Sequence, residues 1–154
     1  MPKIDQSTLP LNSGTRYPPP HDVPCRARSW LKLGDAAGLT QFGVSLVRLP
    51  PACWSSQRHW HAHEDEFIWV VEGEVVLVTD DGEETFGPGD SAGFKGGVQN
   101  GHHFQNRGTK DALLLTVGTR DDRDHGEYSD IDMKFLSERY SAGGGYAHKD
   151  GTPY

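Results

Sequence analysis

The apolar positions of this chain come in short runs that alternate with polar residues or continue unbroken for a strand's length, each closed by turn residues. Residues 40–49 alternate, with Phe42, Val44 and Leu46 on one face, and Pro50-Pro51 ends the run. A shorter candidate at 29–33 is closed by Gly34-Asp35. Residues 56–61 form the next extended segment, followed by an acidic turn at His63-Glu64-Asp65. The continuous apolar run 67–71 stops at Glu72-Gly73-Glu74, and 75–78 answers it as a hairpin partner. Asp81-Gly82 is the strongest turn signal, because tight hairpin turns require residues that tolerate positive φ. Segments 83–86, 91–94, 102–106 and 112–117 complete the set. None of this stretch sustains a 3.6-residue period. Many short strands at close, even spacing predict an all-β sandwich or barrel.

The two ends read differently. Residues 1–27 are polar and proline-rich around Tyr17-Pro18-Pro19-Pro20, and are expected to form an extended arm on the surface or on a neighbouring subunit. Residues 28–118 form the barrel, and 119–154 a tail. The tail opens with a charged stretch from Arg120 to Asp124. It then has a short helix expected over 131–140, anchored by Phe135 and Leu136, and a break at Gly143-Gly144-Gly145.

Composition narrows the function. The 154 residues include 19 Gly and 10 Pro, a density that a helical bundle would not tolerate. The net charge of −7 argues against a nucleic-acid surface, which needs clustered cations to displace counterions. No apolar run approaches the roughly 18 residues that span a bilayer. The first ten residues hold one Lys and no apolar core, so no secretory signal is expected. Cys25 and Cys53 make no disulfide framework and are expected as reduced thiols in a cytoplasmic protein.

Five of the eight histidines fall in two groups, His59, His61 and His63, then His102 and His103. Strand side chains alternate, so His59 and His61 point to one face and can converge on one ion. Glu66 follows a turn and can reach the same face from an adjacent strand. Gly73 closes that strand.

The spacing His59-x-His61-x4-Glu66-x6-Gly73 resembles the first motif of the cupin superfamily. The end of the second motif, His-x3-Asn, is matched by His102 and Asn106. Lys95 stands where that motif has proline, and the loop from Gly97 to His102 is two residues longer. His103 is therefore a rival ligand to His102. His102 is preferred because alternation then puts Phe104 and Asn106 on the inner face as well.

The resemblance covers roughly residues 40–118 and implies a double-stranded β-helix, a jelly-roll barrel, with a metal in its mouth. It implies His59, His61, Glu66 and His102 as ligands. Three imidazoles and a carboxylate suit a divalent transition metal (Zn, Fe, Mn, Ni or Co) and not Ca or Mg. Ile68, Val70 and Phe104 are expected to line the cavity below the metal. His63, Glu64 and His103 are the candidate acid/base residues. Lys95 and Arg48 are candidates for an anionic substrate, and Trp60 and Trp69 for core or interface packing. Small bacterial monocupins of this look are described by analogy as sugar-phosphate isomerases. The expected function is thus isomerase-like chemistry on a small molecule, with an iron-dependent dioxygenase or a small-molecule sensor as alternatives. A homodimer is expected, since the polar arm and open sheet edges need covering.

Overall fold

Turn residues let the chain reverse every few positions, and the apolar runs between them become strands. A computed structural model describes residues 3–154. The strands are β1 (Asn12–Ser13), β2 (Ser29–Lys32), β3 (Phe42–Leu49), β4 (Glu66–Glu72), β5 (Val75–Thr79), β6 (Gly82–Phe86), β7 (Ser91–Phe94), β8 (His103–Gln105), β9 (Ala112–Thr119), β10 (Gly126–Glu127), β11 (Lys134–Phe135) and β12 (Tyr146–Ala147). One α-helical turn, α1 (Leu33–Ala36), follows β2. Six strands form one sheet in the order β1-β2-β3-β9-β4-β7, and β6-β5-β8 form the facing one. A third small sheet, β10-β11-β12, belongs to the tail. Among the described residues no helix is long and apolar enough to cross a membrane.

The core lies between the two larger sheets. Leu49, Val70, Ala112 and Leu114 are wholly excluded from solvent, and Val75, Leu77, Phe86 and Phe104 face them. Full burial of a Val, Leu or Phe side chain is worth about 1.5–3 kcal/mol. In β3 the inward face carries Val47 and Leu49, so Phe42, Val44 and Leu46, the more apolar set, look outward. The turn from β4 to β5 rests on Gly73, whose φ is 79°. A Cβ there would lie 2.6 Å from the Asp111 carbonyl oxygen. Glycine alone accepts both constraints.

The two ends of the chain meet. Tyr17 and Cys25 from the arm pack with Tyr128, Met133 and Phe135 from the tail in a second apolar cluster. The ring of Tyr128 also approaches that of His59, 5.6 Å away between centroids. The helix expected over 131–140 does not form. Phe135 instead pairs in β11 between Gly126 and Tyr146, where it is buried, and Glu138 turns the chain at a φ of 63°. Edge pairing outweighs the weak helical tendency of so short a segment. The segment 56–61 is likewise not a laddered strand. Its pairing is limited to isolated bridges from His59 to His102 and to Tyr128.

Candidate metal centre

Backbone placement decides where each imidazole points. The His59 and His102 backbones exchange hydrogen bonds of 3.2 and 2.9 Å, which sets their rings side by side. Glu66 opens β4 on the same inward alternation that buries Ile68 and Val70. The Nε2 atoms of His59 and His61 are 3.0 Å apart. Glu66 Oε2 lies 3.4 Å from His61 Nε2 and 2.9 Å from His102 Nε2. Phe94 stacks on the His102 ring at 3.6 Å and 3°, fixing its plane.

Three of these side chains, His59, His61 and Glu66, bring one donor atom each within 4.8 Å of one another, a grouping that could hold a metal ion, and His102 adjoins them through Glu66. His59 Nδ1 sits 2.9 Å from the Gln57 carbonyl, which only accepts, so this nitrogen carries the proton. His61 Nδ1 donates to the Asp124 carboxylate at 2.7 Å. Both Nε2 atoms of the neutral rings then present lone pairs to each other, an arrangement that requires a cation or an extra proton between them. Donors about 2.1 Å from one centre sit about 3.0 Å apart at right angles and about 3.4 Å apart at tetrahedral angles. The separations of 3.0 and 3.4 Å among His59, His61 and Glu66 match that range.

The electrostatics agree. Burial and the neighbouring imidazoles hold His59 well below the usual histidine range. Burial works against charge on His61 too, but Glu66 and Asp124 outweigh it and raise the ring to about 9. Burial would raise Glu66, yet His61 and His102 keep it well below the usual carboxylate range.

Asp124, wholly buried, organises what lies behind His61. It accepts from His61 Nδ1, from the backbone N–H of His63 and of Glu64, and from Arg139. A carboxylate behind a ligating imidazole fixes its tautomer and raises its basicity. Sequence reading placed Asp124 in a solvated charged stretch. No periodicity marks it, since its partners His61, His63 and Glu64 are some sixty positions away in the chain.

The three candidate acid/base residues lie in different surroundings. Glu64 is buried, and its oxygens accept from the Asp121 backbone N–H, the Tyr140 hydroxyl and Arg139. His63 is exposed, its ring 5.7 Å from that of His125. His103 sits on the opposite face of β8 from Phe104. There it contacts the Ser56 carbonyl, Gln105 and Trp54, and burial pushes it down to about 4. Arg48 pairs with Asp111 at the surface. Trp69 is half exposed and belongs to neither apolar cluster.

Three cavities adjoin the cluster. An inner one of about 240 Å³ lies against His59, Glu66 and His102 and is walled by Val47, Ile68 and Phe104. A second, of about 340 Å³, reaches His61 and His102 beside Trp60, Lys95 and Asn100. A wider vestibule of about 880 Å³ opens from His59 between the arm and the tail.

Residues 45–118 match the cupin domain family. A crystal structure from Silicibacter pomeroyi, named a sugar phosphate isomerase of the cupin superfamily, is 45% identical over 99% of this chain and 96% of its own, with a TM-score of 0.94. A second, from Acidithiobacillus ferrooxidans, carries the same activity as a provisional name. It is 30% identical over 71% of this chain and 69% of its own, with a TM-score of 0.68. The polyketide cyclase RemF from Streptomyces resistomycificus shares the fold at 22% identity, covering 79% of this chain and 80% of its own, with a TM-score of 0.63. No curated protein sequence matches the chain.

Proposed function

This chain belongs to the cupin superfamily, and on that footing we propose that it is a metal-dependent enzyme acting on a small organic molecule by isomerase-like chemistry. The observation that carries the reading is the convergence of His59, His61 and Glu66, with His102 against Glu66, at the head of a partly apolar cavity. The isomerase assignment is supported by the name of the Silicibacter pomeroyi relative. A bound divalent ion there supplies Lewis-acid polarisation of a carbonyl or hydroxyl oxygen.

The chain's own residues do the rest. Asp124 keeps the proton of His61 on Nδ1 and leaves Nε2 free to ligate. Glu64 is a positioning residue, which with Tyr140 and Arg139 holds the loop that carries Asp124. Val47, Ile68 and Phe104 exclude water from the inner wall, where the hydroxyls of Ser56 and Thr116 orient substrate. His63 and His103 do not line this cavity.

Elemental analysis of protein purified without a His tag or added metal tests the reading, together with NMR of aldose and ketose phosphates incubated with it. About one transition-metal ion per chain and interconversion without oxygen uptake are expected. Substrate turnover coupled to oxygen consumption would move the protein to the dioxygenases, and absence of metal after loading would end the metal reading.

The assembly we propose is a homodimer in a reducing compartment, where Cys25 and Cys53 stay as buried free thiols. Its surface is the outer face of the six-stranded sheet. Cross-strand rows Leu31, Leu46, Leu115, Trp69 and Val44, Val117, Phe67 line that face without a charged residue. Phe67, Trp69 and Val71 remain 42%, 48% and 47% exposed in the single chain. Phe42 and the half-buried leucines extend this apolar surface. It would form the centre of a standard interface of about 800 Å² per partner. A second copy is the occupant this face fits, because a neutral centre brings two chains of net charge −7 together without burying like charges.

A further inference from the structure

The vestibule over the metal cluster has an unexpected sign. Arg16, Arg28, Lys32 and Arg139 line it, and no Asp or Glu does, in a chain with 22 acidic and 15 basic residues. Two of these cations are already matched, Arg139 by Glu64 and Asp124, and Lys32 by Asp35 at 3.6 Å. Arg16 and Arg28 form no ion pair among the described residues.

Arg28 is the better placed of the two. It is half-buried, and it lines both the vestibule and the inner cavity together with Trp30, Ser56 and His59. Its Nε donates to the Gly14 carbonyl at 2.9 Å and its Nη1 to the Ser55 carbonyl. The rings of Tyr17 and Trp30 lie 6.0 and 5.5 Å from the guanidinium carbon. The side chain is therefore held in place by backbone and aromatic contacts, and Nη2 makes no hydrogen bond with the protein. A partly desolvated cation without a counter-charge is unfavourable unless a ligand supplies one. A guanidinium already held in position loses little freedom when it binds an oxyanion.

We propose that Arg28, supported by Arg16, is the binding site for an oxyanion headgroup of the substrate, a phosphate monoester or a carboxylate. The headgroup sits in the vestibule, and the reacting end of the same molecule enters the inner cavity beside His59 and Glu66. The two cavities together accommodate a molecule of sugar size. This assignment rests on the proposed metal-dependent reading for its reacting end, and the headgroup site itself is measurable without turnover.

The test is calorimetric titration of inorganic phosphate, and separately of acetate, into the purified protein, with metal content measured on every sample. Wild type is expected to bind at least one of the two, and Arg28→Gln to weaken that binding at least tenfold with metal content unchanged. Arg16→Gln, at an exposed position whose Nη1 donates to the Gly143 carbonyl at 3.2 Å, is expected to weaken it two- to fivefold. Arg48→Gln, on the outer surface, is expected to change nothing. Preference for phosphate or for acetate identifies the headgroup. Failure of wild type to bind either anion, or equal binding by wild type and both vestibule variants, overturns the assignment. If anion binding depends on Arg28 but the protein takes up no metal, the headgroup site stands and the metal-dependent reading falls. If metal is held and no anion binds, the reverse holds.

Discussion

Two nitrogens facing each other across 3.0 Å set the chemistry of this protein at the scale of single residues. His59 and His61 each commit Nδ1 to an acceptor, so their remaining lone pairs meet at one point. His59→Ala removes one of them, and metal content is expected to fall below about a tenth of wild type while the circular dichroism spectrum stays native. Asp124→Asn keeps size and shape but removes the charge behind His61. Loss of such a partner lowers metal affinity about 10–100-fold, which competition with a chromophoric chelator will read. The thiols give a further expectation. Burial pushes Cys25 up to about 12 and raises Cys53 as well, so little thiolate exists at pH 8. Neither is expected to react with a disulfide reagent until the protein unfolds, and rapid labelling of the native protein would contradict the packing described here.

At the scale of elements, the turns carry as much of the fold as the strands. Gly73 combines a positive φ with a backbone neighbour 2.6 Å from where a Cβ would stand. Gly89 has a φ of 96° but nothing within 4 Å of that point. Gly73→Ala is therefore expected to lower unfolding free energy by about 2–4 kcal/mol, since strain and overlap add. Gly89→Ala meets strain alone and is expected to cost about 1 kcal/mol. Urea denaturation compares the two, and equal losses would mean that the approach of Asp111 to the β4–β5 turn is relieved at little cost. The same contrast explains what the sequence made legible. Strands β3, β4, β5, β6, β7 and β9 are visible because alternation and turn residues are local signals. The donor group was legible because His59, His61 and Glu66 lie close together in the sequence, although only Glu66 sits on a laddered strand. Two-residue strands such as β10, β11 and β12 leave no periodic trace, and Phe135, read as a helix anchor, is held by Gly126 and Tyr146 from outside its own segment. Arg28 and Tyr128 escaped notice for the same reason, since their importance comes from the arm and tail meeting over the mouth.

For the whole molecule, the barrel has two faces with different tasks. Its interior gathers the histidine–carboxylate group beside a cavity that the arm and tail adjoin, and its outer sheet carries apolar rows through Leu46 and Val44. Trp69→Glu places a charge at the centre of that surface, and light scattering is expected to show a dimer in wild type and a monomer in the variant, both metal-bound. A wild-type monomer at all concentrations would assign the patch to another partner. The central claim is that one ion sits among His59, His61, Glu66 and His102. Anomalous diffraction from crystals of the metal-loaded protein tests it most directly. The account predicts a single strong peak about 2.0–2.2 Å from the Nε2 atoms of the three histidines and from a Glu66 carboxylate oxygen. No peak there in loaded crystals, with the four side chains bonded only to one another, would contradict it.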